Sequence, residues 1–118
     1  MIFHLVPEPE WSARPASGYA PASLATEGFV HCSPDDATTL AVAAAFYRGA
    51  PRPLLVLGID PDRLTSRCVA EPAAPAPPPG VDASTLFPHV YGPVDDDAVV
   101  DVREVRWPDD GTPEIVER

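Results

Sequence analysis

His4, His31 and His89 are the residues of this chain best suited to acid–base chemistry or to anchoring a ligand. An imidazole titrates near neutral pH, so each can act as base, acid or hydrogen-bond partner. All three lie in apolar, strand-like segments rather than in polar loops. One such histidine, taken alone, is ordinarily a core or edge residue with its hydrogen bonds satisfied. Three together carry more weight, because each has small or polar companions: Ser33 beside His31, Tyr91 and Gly92 beside His89. Buried polar faces are costly unless they are satisfied. A shared cleft is therefore expected if the three strands neighbour one another.

Several chemistries compete for that cleft. Three histidines can hold zinc with water in the fourth position. Their separations, 27 and 58 residues by numbering, match no short metal motif, and HExxH is absent. A Cys–His nucleophile is disfavoured, because Cys32 directly follows His31 and points to the opposite face of a strand. Cys32 reads instead as a small buried apolar residue. Ser33 shares a face with His31, but two residues along a strand span roughly 7 Å. No GxSxG elbow supports an esterase. Glu27 and Glu71 are candidates for paired carboxylates, with a separation the sequence does not give. The chain has no glycine-rich phosphate loop. A nucleotide would have to be held by a helix N-terminus, backbone amides or an arginine.

The elements that must position these groups follow from the hydropathy pattern. Residues 2–6 form an alternating strand, with Ile2, His4 and Val6 on one face and Phe3 and Leu5 on the other. A short helix opened by Pro9 is expected over 8–16, with Trp11 on its buried side. A turn or one helical turn follows over 19–27, around Ser23-Leu24. A second strand covers 28–33, with Phe29, His31 and Ser33 facing one way. Asp35 or Asp36 caps a helix over about 36–48, whose stripe is Leu40, Ala44 and Tyr47 with Ala43 and Phe46 beside them, and Gly49 ends it. Residues 53–60 are the clearest buried strand, and 67–71 a further short one. Residues 72–80 are a polyproline-like surface loop. Phe87, His89 and Tyr91 alternate onto one face. Residues 99–107 are the last strand, and 108–118 a tail. The chain reads as one α+β domain over 1–118, without regular βαβ alternation.

Composition narrows the partners. Hydrophobic residues make up 45% and charged residues 22%, as in ordinary globular chains. Eight basic residues oppose eighteen acidic ones, a formal charge of −10, and all eight are arginine. That balance argues against nucleic-acid and membrane partners. Without lysine there is neither a Schiff base nor a P-loop lysine. The start shows no secretory pattern, and no long apolar run is present, so a cytoplasmic setting with reduced thiols is expected. The oligomeric state is left open.

Several motifs then act as a set. His4, Trp11, Gly18-Tyr19, Ser23-Leu24, the run Glu27-Gly-Phe-Val-His-Cys-Ser33, Phe46-Tyr47, Ile59-Asp60, Glu71 and the run Phe87-Pro-His-Val-Tyr-Gly-Pro93 together resemble the bacterial domain of unknown function 952 family. The match spans about residues 2–102. More distantly, their order is similar to that of the NAD-dependent RNA 2′-phosphotransferases. Those proteins have the ADP-ribosyltransferase fold, a fold-level likeness.

That second resemblance implies an ADP-ribosyltransferase-like split sheet with one main helix and NAD as co-substrate, with no metal expected. It implies cleavage of the nicotinamide–ribose bond, with water or a small molecule as acceptor. His31, Glu71 and His89 are expected to carry the chemistry. His4, Arg14, Tyr19, Ser33, Tyr47 and Tyr91 are expected to bind the nucleotide. In this scheme His4 meets ribose hydroxyls, a tyrosine stacks on nicotinamide, and Arg14 meets a diphosphate oxygen. His89 and Tyr91 stand where transferases of that fold usually carry a glutamate. The alternatives are a non-catalytic small-ligand-binding module of the same fold and a His-dependent, metal-assisted hydrolase.

Overall fold

Apolar β-branched and leucine side chains fill both faces of residues 54–59, and that strand is the centre of the molecule. In the computed structural model, which describes residues 1–73 and 76–118, Leu54 through Ile59 are all buried. The strands are β1 (Ile2–Pro7), β2 (Val30–His31), β3 (Leu54–Ile59), β4 (Arg67–Pro72), β5 (Leu86–Tyr91), β6 (Val99–Arg106) and β7 (Glu114–Glu117). The helices are α1 (Glu8–Ser12), α2 (Ala22–Glu27) and α3 (Asp36–Phe46), with short 3-10 turns between later strands. Two antiparallel sheets result, in the orders β1-β3-β6-β7 and β2-β5-β4. This is the expected single α+β domain, with α3 as its one substantial helix.

Register decides which face each residue takes. His4 pairs with Leu57 and Val6 with Leu55, so Ile2, His4 and Val6 share a face with Leu55, Leu57 and Ile59. That face packs against Val30 and Val90 of the second sheet to form the first core cluster. The opposite face presents Leu5, Leu54 and Val56, which pack with Ala43 of α3, Val105 and Trp107. The four-stranded sheet is thus covered on both sides, and its first strand lies at an edge. There Phe3 exchanges two backbone hydrogen bonds with Ser33, at 2.9 and 2.7 Å, which ties the end of the β2 segment to β1.

Three local readings change. The side chain of Asp35 caps α3 by accepting from the Thr38 amide at 2.7 Å, but the helix ends at Phe46, before Arg48 and Gly49. Phe46 is 67% exposed, outside the apolar stripe. The segment near Ser23, read as a turn or one helical turn, is the six-residue helix α2, which ends at Gly28 in the left-handed conformation that glycine adopts without steric cost. The 108–118 segment is not a tail. After a turn at Pro108–Asp110 it folds back as β7 on β6. Four residues with two apolar side chains are too short to display a period in the sequence.

Candidate functional site

The edge of β1 borders a cleft of about 800 Å³, which lies between α3, α2 and the second sheet. That volume falls in the range of small-molecule sites. His4, Tyr19, His31, Ser33, Tyr47 and His89 all line it, so six of the nine residues singled out from sequence converge. Ala73, Ala76 and Pro78 of the proline-rich loop form part of its wall, and Pro78 is buried. Residues 74 and 75 of that loop lie outside the described residues.

His4 sits at the junction of the two sheets. Its Nδ1–H donates to the His31 carbonyl at 2.6 Å, and its Nε2 accepts from the Tyr19 hydroxyl at 2.8 Å. The carbonyl can only accept, which fixes the tautomer. Burial disfavours the imidazolium and lowers the pKa of His4 from 6.5 to about 4. Burial likewise raises that of the Tyr19 phenol, with the Glu10 charge adding to the effect. The pair is therefore a neutral, rigid strut. Trp11 packs edge-on against Tyr19, with ring centroids 5.7 Å apart.

His31 and His89 are directly paired across β2 and β5, with ring centroids 5.7 Å apart. Each has its own carboxylate. Glu27, at the end of α2, meets His31 Nε2 at 2.9 Å, on the exposed rim. Glu71, on β4, accepts from His89 Nδ1 at 2.8 Å and also from the Tyr91 hydroxyl. These two donors hold the Glu71 carboxyl below its usual range, the Tyr91 hydrogen bond more than the His89 one. Phe29 stacks on the His89 ring at 4.0 Å. His89 is 4% exposed, and its Nε2 has no partner among the described residues. An oriented imidazole with one nitrogen held by a carboxylate and the other open is the arrangement a general base requires.

Three expected residues lie elsewhere. Glu71 and Tyr91 do not line the cleft, and Glu71 reaches it only through His89. Arg14 does not line it either. Its guanidinium lies 3.6 Å over the Trp11 ring, donates to the Trp11 carbonyl and pairs with Asp96 at 3.1 Å. It borders a smaller hollow of about 320 Å³ that shares Glu10, Tyr19, Pro21 and Ala22 with the cleft.

The histidines do not form a metal site. Both nitrogens of His4 are already bonded within the protein. Among the described residues no group of three or more His, Cys, Asp or Glu is arranged to hold an ion. Cys32 is buried, and desolvation raises its thiol pKa; the exposed Cys68 is raised too, by partial burial.

Sequence reasoning missed the Glu27–His31 and Glu71–His89 pairings. The first was open to inspection at four residues' separation. The second depends on the β4–β5 register, which places Glu71 opposite Phe87 and diagonal to His89.

Fold and site together define a small α+β domain that carries a histidine-lined cleft at the edge of its main sheet. The chain belongs to the family described as Protein of unknown function (DUF952), whose model matches residues 5–102. It is similar to two crystal structures of protein CC0527 from Caulobacter crescentus. One is 24% identical with a TM-score of 0.75. The other, a double methionine variant, is 23% identical with a TM-score of 0.74. Each alignment covers 96% of this chain and 92% of that one, and the likeness is one of fold. No curated protein matches the chain.

Proposed function

We propose that the cleft binds NAD or a related nucleotide and that the protein cleaves the nicotinamide–ribose bond. The observation that supports this best is the convergence of His4, Tyr19, His31, Ser33, Tyr47 and His89 from both sheets, the end of α3 and the segment before α2 onto one cleft. The sequence resemblance to the NAD-dependent RNA 2′-phosphotransferases would assign His4, His31 and Ser33 to an NAD site. In this reading the N-glycosidic bond breaks with its electron pair leaving on nicotinamide. Water or a small alcohol then attacks the oxocarbenium carbon, and its proton passes to His89 Nε2. Holding substrate and acceptor in line supplies much of the rate. The neutral His4–Tyr19 strut fixes the cleft wall against which the ribose lies.

Incubation with NAD tests this by chromatographic release of free nicotinamide. Release that is lost in His89→Gln, while NAD still binds, supports the reading. Absence of both NAD and ADP-ribose binding at millimolar concentration overturns it. A binding module without turnover is the second reading. It is favoured by His4, whose two nitrogens are both committed and leave it no proton to exchange. Saturable binding without nicotinamide release would select it.

A further inference from the structure

We infer that the cleft recognises the cationic, N-ribosylated pyridinium half of its ligand, and that a diphosphate is dispensable, because its described lining residues include carboxylates and aromatic rings but no arginine or lysine. This rests on the nucleotide reading above and specifies the substrate class of the same site. Glu10 and Glu27 are the two carboxylates among the described lining residues, Glu27 also meeting His31 Nε2 at 2.9 Å, and no arginine is among them. The chain has no lysine to substitute.

The arginines are engaged elsewhere. Arg14, on the adjoining hollow, is bonded to Asp96 and the Trp11 carbonyl, while Arg48 and Arg52, which flank the lining residues Gly49 to Pro51, donate to the Gly111 and Arg48 carbonyls. Arg103 is bonded to Asp36 through two nitrogens, and Arg106 and Arg118 pair with glutamates. A diphosphate inside such a cleft would lose water without gaining a cation, which is unfavourable. An oxidised nicotinamide riboside has the opposite character, a flat ring bearing a positive charge and no phosphate.

Aromatic surfaces for that ring are present in Tyr19, Tyr47 and Phe87. Tyr47 reports the sign of the local field. Burial raises its phenol pKa, and both Glu10 and Glu27 add to the rise. His89 lines the same cleft with its ring nearly buried and its Nε2 without a partner among the described residues. The carboxylates attract the pyridinium before the bond breaks. Neutral nicotinamide loses that Coulombic attraction once the bond is broken, so the site favours the charged substrate over the neutral base.

Calorimetric titration of four ligands into the intact protein tests the inference: oxidised nicotinamide riboside, its uncharged dihydropyridine form, ADP-ribose and NAD. The expected result is that the oxidised riboside binds at least about tenfold tighter than the dihydro form and than ADP-ribose, a difference of the size a nearby charge produces in a half-exposed cleft. Glu27→Gln is expected to weaken the oxidised riboside several-fold and to leave the dihydro form unchanged. Equal binding of the two ribosides, or tighter binding of ADP-ribose, overturns the inference while leaving a nucleotide site in place. If none of the four binds, the nucleotide reading falls with it. The riboside comparison needs no variant, so it stands even if Glu27→Gln proves unstable.

Discussion

The two sheets of this molecule are built on opposite principles. In the four-stranded sheet, β3 is buried along its whole length and both faces are apolar. In the three-stranded sheet, Val30 and Val90 turn inward, while His31, His89, Glu71 and Tyr91 carry a connected polar network on the other side. Hydrogen-bonded networks of this kind fix the orientation of their titratable groups, which is the arrangement chemistry at such a site needs. The first sheet therefore supplies most of the apolar burial, and in the reading proposed above the second supplies the reactive groups. His4 links them, since it belongs to β1 yet donates to the carbonyl of His31.

The sharpest way to break the comparison is to cut into the first sheet. Leu57 is fully buried in β3, among Val6, Leu55 and Ile59 in the same cluster. Leu57→Ala is expected to cost about 2–5 kcal/mol, the range for a buried leucine truncated to a cavity. Urea unfolding checks it. A loss under about 1 kcal/mol would mean that the sheet is not the stabilising half.

The junction comes next. The pKa of His4 lies below its unfolded value of 6.5, at about 4, so between these values the unfolded chain binds more protons. Its contribution to stability is thus complete above about pH 6.5 and is lost as the pH falls toward 4. The 2.5-unit difference corresponds to on the order of 3 kcal/mol. Carboxylates held low, such as Asp36, act in the same direction at lower pH and are common to wild type and variant. The urea midpoint of wild type should therefore fall more steeply than that of His4→Asn across this window. Parallel pH profiles would show that His4 is not held neutral.

Behind the first sheet, Asp35→Ala removes the α3 cap. It is expected to cost about 1 kcal/mol and to leave ligand binding in the cleft unchanged. Thermal unfolding and the titrations described above check both halves.

Legibility followed the same division. The alternation at 2–6 and the continuous apolar run at 54–59 displayed the first sheet directly, because burial writes itself into residue type. The inward Val30 and Cys32 were equally readable. Of the six cleft residues His4, His31, Ser33 and His89 were legible as polar types set in strand segments, while Tyr19 and Tyr47 lay outside them, and the convergence followed once the fold was known. Arg14 was not legible, because its position depends on the stacking partner Trp11 and on Asp96, far away in sequence. Nor was β7, since four residues do not establish a period.

Glu71→Gln should change stability least and isolate the second sheet's role most cleanly. Glu71 is partly exposed, and the glutamine amide oxygen can still accept from His89 Nδ1 and from the Tyr91 hydroxyl, so the melt is expected to match wild type within error. What disappears is the negative charge that fixes which nitrogen of His89 carries the proton and that would stabilise an imidazolium during proton transfer. Nitrogen chemical shifts of the His89 ring should therefore report a mixed tautomer population, and nicotinamide release should fall by about 10²–10⁴-fold, the range for losing general acid–base assistance. NAD affinity should change little, because Glu71 does not line the cleft. If the melt shifted instead while the tautomer and turnover stayed as in wild type, Glu71 would be a structural strut, and the second sheet would resemble the first in purpose.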